Sequence, residues 1–135
     1  MSNLSNKSEI FQMAAQTLHN KNMYPAVAHD AYYSCYQLMK HIWLYSMKKT
    51  QRELDVKCSL VNAKSHEFLL NEIVSYVKKS NNKDSLLDSR ILRNDVLQLK
   101  RLRVDADYYD SVFDSVRSNS SITLSQRVIP ILKKY

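Results

Sequence analysis

Pro25-Ala-Val-Ala-His29-Asp-Ala-Tyr32-Tyr33-Ser-Cys35-Tyr36-Gln-Leu-Met39-Lys-His-Ile42-Trp43-Leu-Tyr-Ser-Met47 is the stretch on which the fold turns. Ala28, Tyr32, Cys35, Tyr36, Met39, Ile42, Trp43 and Met47 recur in steps of three and four, the period that gives an α-helix one apolar side. Pro25 stands where a first-turn proline belongs, because its fixed φ suits the helix and its missing N–H would be unpaired there anyway. The spacing predicts one long helix packed along that seam. His29, Tyr33, Gln37 and Lys40 form a polar stripe on its other side, turned to solvent or to a partner.

Outward from this helix the same period returns. Ser5 or Ser8 can cap a first helix carrying Ile10, Phe11, Ala14, Ala15 and Leu18, which stops at the polar run His19-Asn-Lys-Asn22. On the other side, Lys48 to Ser65 breaks the period and holds Lys48, Lys49, Arg52 and Lys57, so it reads as a long surface loop. Ser65 then caps a third helix with the seam His66, Leu70, Ile73, Val77, ending in the polar run Lys78 to Lys83. A fourth opens near Asp84, with Ser85 and Asp88 as its capping box, and runs to about Tyr108. After Ser118-Asn-Ser-Ser121, Thr123 and Gln126 repeat the capping signature ahead of Val128, Ile131 and Leu132, although Pro130 deletes one hydrogen bond of that last helix.

Composition agrees with a helical reading. The 135 residues are 44% hydrophobic and show no linker, which fits one domain, 1–135, around a single core. There is no glycine, which tight hairpin turns normally need, and glycine-rich phosphate loops and dinucleotide-binding Rossmann fingerprints are excluded. The expected fold is all-α, an antiparallel four- to five-helix bundle. A net charge of +7 favours polyanionic partners without requiring one. Cys35 and Cys58 lack Cys-x-x-Cys spacing and read as reduced thiols of a cytoplasmic protein. The polar start Met1 to Ser8 and the lack of any apolar run of about 18 residues argue against a signal peptide and a membrane span. His19, His29 and His41 have no metal-ligand spacing, so neither metal nor cofactor is expected.

One residue breaks the apolar logic. The fourth helix has the seam Leu92, Val96, Leu99, Arg103, Ala106, which passes straight through an arginine. A buried cation must snorkel to water, pair with a carboxylate or face a polar cleft. Asp107, one turn on, can supply the pair, so an ion-pair lock and a ligand-facing cation both fit. Asp105 points away from that pair, towards solvent.

Ala26-Val-Ala-His-Asp-Ala-Tyr-Tyr33-Ser-Cys-Tyr36 resembles the second helix of HEPN domains, and Arg103-Val-Asp-Ala106-Asp107-Tyr108 matches the Arg-x-x-Ala-Asp-Tyr signature of one bacterial and archaeal branch of that family. Ser65-His66 falls where that branch often opens its third helix with a histidine, and the likeness covers about residues 8–132. The resemblance implies a homodimer with a charged cleft at its interface. It also implies a place in toxin–antitoxin, phage-defence or CRISPR-linked systems, as a metal-independent ribonuclease or as the non-catalytic partner of a small nucleotidyltransferase. Catalytic members carry Arg-x(4 to 6)-His, whereas here the residue five after Arg103 is Tyr108 and no histidine follows His66.

Metal-free RNA cleavage needs one group to take the 2′-hydroxyl proton and another to protonate the leaving oxygen. Histidine suits both tasks, whereas an ordinary tyrosine, with a pKa of about 10, makes a poor base. The resemblance therefore points to Arg103, Asp107, Tyr108 and His66 as the catalytic-type set, in a protein that binds RNA or a nucleotide and cleaves poorly. An endoribonuclease using Arg103 with Tyr108 or His66, and a structural dimerisation module, are the alternatives. Tyr33, which lies off its helix's seam, is the candidate for stacking on a base. Arg90, Arg93, Lys100 and Arg101 form a basic face that can track a phosphate backbone, or simply be solvated.

Overall fold

A computed structural model describes residues 2–60 and 64–135. Its six α-helices are α1 (Asn3–Asn20), α2 (Tyr24–His41), α3 (Gln51–Leu60), α4 (Ser65–Lys78), α5 (Ser85–Tyr108) and α6 (Ser115–Leu132), and there is no strand among the described residues. The all-α expectation holds, with one helix more than anticipated. All six contribute to one apolar core.

α2 sits at the centre and packs against α1, α4, α5 and α6. That position explains why its buried set is wider than one seam: Val27, Ala31 and Leu38 join Ala28, Tyr32, Cys35 and Met39. Pro25 lies in its first turn, as its chemistry requires. The helix then widens into a π-helical turn, Ile42–Ser46, in which Met47 N–H donates to the Ile42 carbonyl at 2.9 Å. Trp43, fully buried, ends this segment by donating its indole N–H to the Thr50 carbonyl at 2.8 Å.

The expected loop between Lys48 and Ser65 is largely a helix, α3; its residues 61–63 lie outside the described residues. α3 buries only Leu54 and Cys58, a stripe too short to show a period. Its start was nonetheless written in the sequence, since Thr50 Oγ1 accepts from Glu53 N–H at 3.1 Å and meets the Glu53 carboxylate at 3.3 Å. Thr50 thus caps the helix with its side chain, as in a Thr-x-x-Glu sequence, and its hydroxyl donates to the Glu53 carboxylate.

The last helix begins eight residues before the expected Thr123, at Ser115, with Asp114 accepting from Arg117 N–H at 3.0 Å as its cap. Its buried face includes Ser118, Ser121 and Ser125, so apolar periodicity does not reveal its first half. Those hydroxyls are satisfied: Ser121 donates to the Arg117 carbonyl, Ser125 to the Ile122 carbonyl, and Ser118 meets His19 Nδ1 at 2.8 Å. Pro130 lies within α6 on its exposed side. The expected Ser85/Asp88 capping box does not form: Asp84 precedes the helix without a side-chain cap, and Asp88 binds Lys134 and Tyr135 instead.

Candidate functional site

α4 and α5 run antiparallel across a short turn, so the start of α4 meets the end of α5 beside α2. There a cleft of about 440 Å³ is lined by Tyr33, Lys64, His66, Lys100, Arg103, Val104 and Tyr108. Five of the residues marked out by sequence, Tyr33, His66, Lys100, Arg103 and Tyr108, thus come together. Lys64 joins them unforeseen, although its place two residues before His66 was the available signal.

Arg103 lies where the seam put it, with 11% of its side chain exposed. Its guanidinium stacks near Tyr32, Tyr33 and Tyr108, with its carbon 5.2, 5.7 and 6.0 Å from their ring centres. Its Nη1 pairs with Asp107 Oδ2 at 3.5 Å, and the same oxygen meets His29 Nδ1 at 3.4 Å. The Arg103 Nε–H, buried, has no hydrogen-bond partner among the described residues. Asp107 holds one edge of the guanidinium, as the ion-pair reading expects, while Arg103 also lines the cleft. Asp105 is not simply solvated, since Arg117 Nη2 pairs with it at 2.6 Å.

His66 sits in a tyrosine nest. It stacks on Tyr36 at 4.4 Å and on Tyr32 at 5.5 Å between ring centres, and Tyr33 meets it edge-on at 5.8 Å. Its Nδ1 shares a 2.8 Å hydrogen bond with the Tyr32 hydroxyl. Burial disfavours the imidazolium, and the charges of Arg103 and Lys100 add to the effect, lowering the pKa to about 4. Burial likewise holds the Tyr32 phenol well above its usual range. At neutral pH both are uncharged, so His66 adds no positive charge to the cations around it.

The lining contains three cations, Lys64, Lys100 and Arg103, and no carboxylate. Lys64 and Lys100 have no ion-pair partner among the described residues. Such a cleft attracts an anion, and its histidine is neutral near pH 7. Arg90 and Arg93 lie elsewhere, in a second cleft further along the α4–α5 groove, and Arg101 lines two clefts that include Asp105, one of which shares Lys100 and Val104 with the Arg103 cleft. No group of histidine, cysteine and acidic side chains among the described residues could hold a metal, and no described helix is long and apolar enough to cross a membrane.

No protein-family model, no curated protein sequence and no solved structure matches this chain.

Proposed function

We propose that this chain is an HEPN-like protein of a toxin–antitoxin or defence system that binds a nucleotide or RNA phosphate at Arg103 and cleaves it poorly. The observation that carries the reading is a cleft with no carboxylate in its lining, in which Arg103, Lys64 and Lys100 accompany a neutral His66, Tyr33 and Tyr108. A phosphate entering it gains charge-assisted hydrogen bonds from Lys64, Lys100 and the Arg103 guanidinium. Tyr33 and Tyr108 supply stacking surfaces. Cleavage is weak on this reading because a base with a pKa of about 4 takes the 2′-hydroxyl proton reluctantly.

A homodimer and a nucleotidyltransferase-type partner are two ways to cover Tyr108, Tyr109, Val112 and Val116, the exposed side chains that follow the cleft at the end of α5. The endoribonuclease reading keeps one specific support, the closeness of His66 to Arg103, which would stabilise charge on the scissile phosphate.

The test is binding of adenosine monophosphate and of a short single-stranded RNA, in EDTA, across a range of salt. Wild type is expected to bind both, with affinity falling as salt rises, and to leave the RNA intact. Arg103→Gln should lose about tenfold in affinity, the equivalent of one charge-assisted contact of about 1.4 kcal/mol. Unaltered binding in Arg103→Gln overturns the proposal. RNA cleavage that His66→Ala abolishes would replace it with the nuclease reading.

A further inference from the structure

The second cleft of the α4–α5 groove, about 460 Å³, lies towards the opposite end of both helices from Arg103. It is lined by Lys78, Arg90 and Arg93, by the amides Asn71 and Asn94, and by Ser75, Ser89, Val74 and Leu86. Like the Arg103 cleft it contains no carboxylate. By contrast, the nearby α5–α6 cleft that holds Arg101 has Asp105 in its wall.

The cations are also unspent. Lys78 and Arg90 have no ion-pair partner among the described residues, whereas Arg103, Arg117, Arg127 and Lys134 all meet a carboxylate. Arg93 reaches across the groove and donates from Nη1 to Asn71 Oδ1 at 3.2 Å, a neutral acceptor. That bond fixes the guanidinium over the cleft without cancelling its charge. It also turns the Asn71 carbonyl to Arg93, leaving the amide N–H donors for an incoming acceptor.

The two clefts share a line. On α5, Arg90, Arg93, Leu97, Lys100 and Val104 follow each other in steps of three and four along one side of the helix. From Arg90 to Arg103 the helix rises about 20 Å, longer than a mononucleotide and within reach of several nucleotides of extended strand.

The geometry points to a second phosphate-binding site at the Lys78–Arg90–Arg93 end of the groove, holding a phosphodiester of the same single strand whose other phosphate lies at Arg103. This inference rests on the Arg103 reading and adds to it a ligand class: an extended oligonucleotide rather than a mononucleotide. Glu67, one turn before Asn71 on the same α4 stripe, is the acidic side chain such a strand passes.

The experiment measures anisotropy of a labelled single-stranded oligoadenylate RNA, with adenosine monophosphate as competitor, for wild type, Arg90→Gln/Arg93→Gln, Arg90→Lys/Arg93→Lys and Arg103→Gln. The double glutamine variant should lose tenfold or more in oligonucleotide affinity. The slope of log affinity against log salt should fall by about 0.7, the value for one phosphate no longer neutralised on a single strand. Monophosphate binding should change far less, the lysine pair should recover most of the loss, and Glu67→Gln should tighten oligonucleotide binding. Unchanged oligonucleotide affinity and slope in the double glutamine variant, with both ligands weakened by Arg103→Gln, would sink the distal site and leave the Arg103 reading standing. The reverse pattern, loss in the double variant with Arg103→Gln inert, removes the Arg103 reading and the shared strand with it.

Discussion

A histidine that stacks on two tyrosines and stands near Arg103 and Lys100 gives up its proton early. For His66 the folded pKa, about 4, lies below the ordinary value of 6.5, so the unfolded chain takes up the proton first. Stability from neutral His66 is therefore whole above pH 6.5 and is lost as pH falls from there towards 4. Urea unfolding across that window should show wild type losing stability faster than His66→Phe, which keeps the stack but has nothing to titrate. A ring-proton NMR titration of His66 with its midpoint near 6.5 would contradict the assigned environment. Arg103 was legible in advance because a charged residue on an apolar seam is a local contradiction, and its 11% exposure confirms that placement. His66 was legible as a seam residue. Its partner Tyr32 was read only as core, because no sequence pattern connects two side chains 34 positions apart.

At the scale of elements, the missing glycines leave a mark. Helices commonly end with a residue in the left-handed region, where glycine alone escapes a Cβ clash. Here Asn22 (φ 60°) and Lys48 (φ 57°) hold such positions, the first after α1 and the second after the π-helical turn. Asparagine tolerates this conformation, whereas lysine has no local hydrogen bond to offset it. Lys48→Gly should accordingly raise stability by about 0.5–1 kcal/mol, the relief of the clash less the added freedom of the unfolded chain, read as a higher urea midpoint at unchanged slope. A lower midpoint would show that the Lys48 side chain contributes more than its backbone costs. The boundaries that sequence reading placed wrongly share a cause. α3 packs through Leu54 and Cys58 alone, and the first half of α6 packs through serines, so neither has the apolar stripe by which α2 and α5 were found.

Across the whole molecule the chain's last residues close the bundle on the start of α5. Asp88, with 5% of its side chain exposed, accepts a hydrogen bond from the Tyr135 hydroxyl at 2.7 Å and pairs with Lys134 Nζ at 3.1 Å, while Ser46 donates to the Tyr135 carbonyl at 2.8 Å. These contacts span 46 to 89 positions and tie α5, the π-helical turn and the end of α6 together, which is why local pattern assigned Asp88 to a cap it does not make. A carboxylate so enclosed is costly to leave with one partner fewer, so Tyr135→Phe should cost about 2 kcal/mol. Combined with Asp88→Leu the cost should shrink, giving a coupling of about 1 kcal/mol or more, because no buried charge then remains to be served. The same contact sets an alkaline limit. Burial and the Asp88 carboxylate raise the Tyr135 phenol to about 12, above its ordinary 10, so its contribution is whole below pH 10 and drains as pH rises towards 12. Tyr135→Phe should flatten stability over that interval relative to wild type. Strictly additive substitutions with parallel alkaline profiles would make this contact incidental and leave the closure of the bundle to its apolar core alone.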